Sequence, residues 1–174
     1  MRWFSRSSVL LLALLATAGV AHAQDGSPSI QGTFTLDPAA SEDVNQAIDR
    51  AVGRMNMVKK PIARSRLKKT NEPYQQLTLA QTGSEVTITA DDRKPVVTPL
   101  SGTPIKWTRE DGEVFDVSTQ WKGDKLEQTF KAEDGQRVNT FTLSPDGNVL
   151  TMDVSVTSPR LSRPLFYELV FRKP

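Results

Sequence analysis

From Tyr74 to the C-terminus, apolar side chains recur at every second position, and short polar turns break the run at regular intervals. The turn signals are Thr82-Gly83, Asp91-Asp92, Ser101-Gly102, Asp111-Gly112, Gly123-Asp124, Asp134-Gly135 and Asp146-Gly147, spaced nine to twelve residues apart. That is the spacing of consecutive hairpins, and a period of two turns one face of each strand inward. The inward sets read Leu77/Leu79, Val86/Ile88, Ile105/Trp107, Phe115/Val117/Thr119/Trp121, Leu126/Gln128/Phe130, Asn139/Phe141/Leu143 and Leu150/Met152/Val154/Val156. After a Ser158-Pro159 break, residues 165–172 form the closing strand.

Ahead of Tyr74 the pattern differs. Ile30, Gly32, Phe34 and Leu36 share one face of a first strand, which Pro38 ends. Ser41 reads as a helix N-cap, with Glu42 and Asp43 in the first turn, where carboxylates suit the positive end of the helix dipole. Val44, Ala47, Ile48, Ala51, Val52 and Met55 repeat at helical spacing, which predicts an amphipathic helix over 42–58. Pro61 cannot continue that helix but suits the first turn of a second one over 61–69, anchored by Ile62 and Leu67 and stopped by Asn71-Glu72-Pro73.

One strand, a helix pair and about nine further strands make an all-β chain, an antiparallel meander of about ten strands with one apolar face. Such a sheet closes on itself, because closure removes exposed edges. The expected fold is a β-barrel forming a single domain over residues 31–174, led in by a flexible stretch over 24–30. Residues 1–23 read as a secretory signal, with Arg2 and Arg6, an apolar run from Val9 to Val20, and a small-x-small site at Ala21-His22-Ala23. The run is too short to span a bilayer, so cleavage after Ala23, a periplasmic or secreted location and a mature chain without a transmembrane segment are expected.

The chain has no cysteine, and the expected cleavage removes its one histidine. That leaves no Ser-His-Asp or Cys-His arrangement, no His/Cys metal site and no disulfide. The adjacent acids Asp91-Asp92, Glu110-Asp111 and Glu133-Asp134 fall at turns, where Asp is favoured for turn geometry, and no glycine-rich phosphate loop is present. No catalytic residue, cofactor or metal is therefore expected.

Charge changes the picture for one segment. Arg50, Arg54, Lys59, Lys60, Arg64, Arg66, Lys68 and Lys69 fall within twenty residues that contain no acid. They form either a solvated face or lid, or a surface for an anionic lipid or an acidic protein. Export and a mature net charge of zero, the 22 Lys+Arg less Arg2 and Arg6 against 20 Asp+Glu, argue against nucleic acid.

Counting by twos also places Gln128, Arg137 and Asn139 on the face of Trp121, Phe130 and Phe141. An aromatic interior with a few polar groups is the lining of a pocket for an amphipathic molecule. Arg137 lies two residues after Gly135, close enough to the turn to reach solvent at the rim, so both placements stay open.

This element order is similar to that of the intracellular fatty-acid-binding proteins, which belong with the lipocalins to the calycin superfamily. The superfamily's signature is a Gly-x-Trp on the first strand whose indole packs against an Arg on the last. The matching positions are Gly32-Thr33-Phe34 and Arg172, with Phe in place of Trp. In fatty-acid-binding proteins, interior arginines on late strands hold the carboxylate, and Arg137 resembles such a position. The chain also resembles small exported bacterial proteins. The expected function is an exported, non-enzymatic binding or carrier protein for an amphipathic or apolar small molecule, contacted by Arg137, Asn139, Gln128 and Trp121. The alternative is a structural or protein-interaction module of the cell envelope, an inhibitor or stress factor, acting through the basic helical surface.

Overall fold

A computed structural model describes residues 29–174. The segment read as a signal, and all but the end of the 24–30 stretch, lie outside the described residues. The elements run β1 (Gly32–Leu36), α1 (Val44–Val52), α2 (Lys59–Thr70), β2 (Gln76–Thr82), β3 (Glu85–Ala90) and β4 (Val96–Pro99). There follow β5 (Ile105–Thr108), β6 (Val114–Lys122), β7 (Lys125–Ala132), β8 (Gly135–Leu143), β9 (Val149–Thr157) and β10 (Leu165–Arg172). Ten antiparallel strands in the order β4-β3-β2-β1-β10-β9-β8-β7-β6-β5 curl into a nearly closed barrel, with the helix pair after the first strand as expected.

A single seam separates the edge strands β4 and β5. At one end it is drawn together where Ser101 bridges Gln120 and Gly102 N donates to Thr119 O at 3.0 Å. Inside the barrel, Thr98 Oγ1 donates to Thr119 Oγ1 at 2.7 Å. Toward the other end, Trp107 Nε1 reaches Pro95 O at 3.3 Å and Lys94 N reaches Glu110 Oε1 at 2.9 Å.

Register confirms the count by twos. Leu126 stands opposite both Trp121 and Phe141, and Gln128 opposite both Thr119 and Asn139. Phe34, Leu79, Val86, Leu126, Leu150, Leu169 and Phe171 are buried together and fill the half of the barrel away from α2. Each such side chain contributes about 1.5–3 kcal/mol of burial.

The helices differ from expectation in instructive ways. Asp43, not Ser41, caps α1, its Oδ1 accepting from Asn45 N at 2.8 Å and Gln46 N at 3.3 Å. Ser41 is committed elsewhere: its hydroxyl donates to Asp37 O at 2.7 Å and accepts from Val170 N at 2.9 Å. α1 stops at Val52 rather than running to 58, because Gly53 closes it and Asn56 Oδ1, accepting from Lys59 N at 2.8 Å, starts the next helix. Met55 still packs on the core, but from the turn. α2 opens two residues earlier than read, with Pro61 inside its first turn, where a missing N–H costs nothing. Only Leu67 of α2 is buried; Ile62 is 66% exposed and anchors nothing.

The first-strand signature also needs correction. Arg172 pairs with Thr35 across the sheet, so it faces outward and donates to Asp37 Oδ2 at 2.6 Å. The cation over Phe34 is Lys173, its Nζ 5.6 Å from the ring centroid. Gly32, at φ +145°, makes room for that pairing: a Cβ there would lie 3.0 Å from Lys173 Cε and 3.2 Å from the Phe34 ring.

Candidate functional site

The half of the barrel beneath α2 is hollow. It holds a cavity of about 980 Å³ that opens between α2 and the β3–β4, β5–β6, β7–β8 and β9–β10 connections. Gln128, Asn139, Phe141 and Met152 form its floor, and Ala63, Leu67, Thr70 and Asn71 of the α2 region form its roof.

One wall is aromatic. Trp107, Phe115 and Phe130 meet pairwise, with ring centroids 6.3, 5.9 and 6.1 Å apart, the last two contacts edge-to-face. Edge-to-face packing is the favourable arrangement of ring quadrupoles. The sequence places these rings on the inward face; they are half-buried because their free faces border the cavity. At the rim, Arg109 lies over the Phe115 ring at 5.3 Å and is held by Asp111 and Glu113 at 2.7 and 2.5 Å.

The opposite wall is polar and cationic. Arg137 Nε donates to Asn139 Oδ1 at 2.8 Å, and Asn139 Nδ2 reaches Gln128 Oε1 at 3.5 Å. Arg137 Nη1 reaches Thr70 O at 3.4 Å and Asn71 Oδ1 at 3.3 Å, while Tyr167 Oη donates to the same Asn71 oxygen at 3.2 Å. Tyr74 is flanked by two guanidinium groups, Arg93 at 5.0 Å and Arg137 at 5.7 Å from its centroid. Burial pushes the Tyr167 hydroxyl above the usual tyrosine value, against the pull of the Arg137 charge. Arg137 has no carboxylate within ion-pair distance among the described residues, and all its hydrogen-bond partners are neutral. Gln128, 1% exposed, leaves its Nε2 without an acceptor among the described residues. The site thus offers a guanidinium and an amide donor, neither neutralised from within.

The structure brings Arg137 of this wall together with Asn139 and Gln128 of the floor. Trp121 lies one layer deeper, opposite Leu126, and does not border the cavity. Asn71, Tyr74 and Tyr167 belong to the site without having been read as such. Asn71 reads from sequence as a helix stop, and it is one: its backbone N donates to Leu67 O at 2.9 Å, while its 3%-exposed side chain joins the cluster.

The basic segment divides. Arg50 pairs with Glu42 at 3.5 Å, and Arg64 takes Asp49 through two bonds of 2.5 and 2.7 Å. Arg54, Lys59, Lys60, Arg66, Lys68 and Lys69 have no ion-pair partner among the described residues. Lys59, Arg66 and Lys69 border the cavity mouth. Beside them, Met57, Val58 and Ile62 are 92%, 77% and 66% exposed. A shallower groove of about 500 Å³ lies outside, between α1 and β9–β10, and is edged by charged side chains including Glu42, Arg50, Asp153 and Arg163.

No protein-family model matches the sequence, and no curated protein matches it either. Solved structures do resemble it in shape. Fatty-acid-binding protein 1 of Echinococcus granulosus aligns at 14% identity with a TM-score of 0.56, over 82% of this chain and 96% of that one. A secretory abundant heat soluble protein of Ramazzottius varieornatus aligns at 10% identity with a TM-score of 0.58, over 83% and 94%. A fatty-acid-binding protein from brain tissue of Drosophila melanogaster aligns at 15% identity with a TM-score of 0.50, over 82% and 98%. At these identities the likeness is one of fold alone: the chain shares with these proteins a nearly closed antiparallel barrel, here of ten strands with a helix pair after the first.

Proposed function

We propose that this protein is an exported, non-enzymatic carrier of an amphipathic anion, acting in the periplasm or outside the cell. The observation that carries the reading is Arg137, a guanidinium with only neutral partners on the wall of a cavity of about 980 Å³. A guanidinium stays charged at any physiological pH, and in a partly desolvated site it favours an anionic guest. The aromatic wall of Trp107, Phe115 and Phe130 suits the apolar body of such a guest. The fatty-acid-binding proteins among the structural neighbours fit the same reading. Titrating the protein with fatty acids should change the emission of Trp107, which borders the cavity. Arg137→Gln should weaken binding by about tenfold or more, the worth of a hydrogen bond to a charged group. A silent titration, or an Arg137→Gln variant that binds as tightly as the parent, would sink the proposal.

A second reading concerns where cargo is exchanged. Six unpaired cations beside exposed Met57, Val58 and Ile62 combine charge with insertable apolar surface, which suits an anionic bilayer better than an acidic protein. No helix among the described residues is long and apolar enough to cross a membrane, and the proposed contact is a peripheral one. Reversing Arg66, Lys68 and Lys69 to Glu should abolish binding to phosphatidylglycerol vesicles and barely alter the melting temperature, since exposed charges contribute little to folding. Retained vesicle binding would leave those residues a solvated face. Loss of a co-purifying acidic protein instead would favour the interaction-module alternative.

A further inference from the structure

Several attachments hold α2 over the cavity, among them the bond from Tyr167 Oη to Asn71 at its C-terminal cap. Leu67 is its one buried side chain. Arg64 bonds Asp49 of α1 at 2.5 and 2.7 Å. At the C-terminal end, Arg137 Nη1 reaches Thr70 O at 3.4 Å and Asn71 Oδ1 at 3.3 Å. Those last bonds are long for a charged donor, which reaches carboxylates at about 2.7–2.9 Å. Both acceptors are neutral, and both belong to the end of the helix. Nη2 of Arg137 has no partner among the described residues, so a carboxylate in the cavity would meet it first. A bidentate grip on Nη2 and Nη1 would then compete with α2 for Nη1 and offer it the stronger partner.

We propose that Arg137 is a latch shared between α2 and the cargo, so that an anionic head group entering the cavity releases the C-terminal turn of α2. The inference rests on the carrier reading and adds its regulation. Nε of Arg137 stays tied to Asn139 at 2.8 Å, which keeps the guanidinium in the cavity while Nη1 changes partner. Tyr167 keeps its 3.2 Å bond to Asn71, so release is local fraying and not loss of the helix. An uncharged molecule of the same shape leaves the latch closed. Coupling of this kind is reciprocal: whatever weakens the hold of α2 on Arg137 must tighten anion binding by the same factor. The roof of the cavity, with the exposed Met57, Val58 and Ile62 at its other end, then differs between loaded and empty protein.

Amide hydrogen exchange over residues 67–71 of the purified protein tests the latch, measured alone, with dodecanoate and with 1-dodecanol. Dodecanoate should speed exchange there several-fold relative to 1-dodecanol. In ligand-free Arg137→Gln the same amides should already exchange about tenfold faster than in the parent, the worth of a lost hydrogen bond to a charged group. Dodecanoate should add nothing further in that variant. Equal or slower exchange with dodecanoate than with 1-dodecanol would overturn the latch. So would parental exchange in ligand-free Arg137→Gln, an arm that needs no ligand. If neither probe binds, the carrier reading fails on its own while that arm still decides whether Arg137 holds α2. Reciprocity gives a further arm: Asn71→Ala, if folded, should bind dodecanoate several-fold more tightly, and weaker or unchanged binding counts against the latch.

Discussion

Gln128 is the residue whose chemistry least suits a purely structural role. It is 1% exposed, and among the described residues its Oε1 has only a 3.5 Å contact to Asn139 and its Nε2 has no acceptor. An orphaned buried donor costs about 1–3 kcal/mol. Gln128→Leu removes that orphan but leaves Asn139 Nδ2 without its acceptor, so it should stay within about 1 kcal/mol of the parent in urea denaturation while weakening capture of a polar head group. A loss well beyond about 1 kcal/mol would show that the amide is satisfied in solution. Asp111 makes a second residue-scale case. The hydrogen bond from Arg109 holds its carboxyl down to about 2, below the ordinary 3.8. A depressed folded value means its contribution is complete above the ordinary value and is lost as pH falls through about 2. An NMR titration should place its midpoint near 2, and Arg109→Gln should return it toward 3.8.

Among the elements, α1 and α2 show what a sequence can and cannot say. The seam of α1, Val44, Ala47, Ile48, Ala51 and Val52, is legible because all five face one core, and all five are buried. Its cap is not, since Ser41 and Asp43 are equally good by type and only the competing bond to Val170 decides between them. Asp43→Ala should cost about 1 kcal/mol in thermal unfolding through the lost cap. Ser41→Ala should also destabilise, but by freeing Val170 N from a partly buried hydrogen bond and not by unwinding α1. Most strands are legible, because period and turn chemistry agree at their hairpins. β4, the four residues Val96–Pro99, shows no inward set by period, and the Ser101-Gly102 turn joins β4 and β5, which do not pair. The grouping of Gln128, Arg137 and Asn139 is legible, since it follows from counting by twos. Asn71 and Tyr74 are not, because they reach the site from the end of a helix and its following loop, and that meeting is tertiary. Nor does the period say whether Trp107, Phe115 and Phe130 fill the barrel or line a hollow in it. That depends on the volume left above Phe141 and Met152, which no local pattern encodes.

At the scale of the molecule, the barrel is strong where strands pair and weak at one line. Backbone pairing runs unbroken from β4 round through β1 and β10 to β5, so only the seam lacks a ladder. What crosses it inside the core is the hydroxyl pair Thr98 and Thr119, 1% and 0% exposed, with oxygens 2.7 Å apart. Hydroxyls at such depth are tolerated because each satisfies the other. That argument fixes the signs of three variants. Thr98→Val alone leaves Thr119 without its donor, and Thr119→Val alone leaves Thr98 without its acceptor. Each should cost about 1–3 kcal/mol, the penalty of an orphaned buried polar group. The double variant removes both groups while nearly keeping their shape, so it should lie close to the parent in stability. Equilibrium unfolding of all four proteins gives a coupling energy directly. If the single costs simply add in the double variant, the pair is not what closes the seam. The bonds from Gly102 to Thr119 and from Trp107 to Pro95 would then carry it.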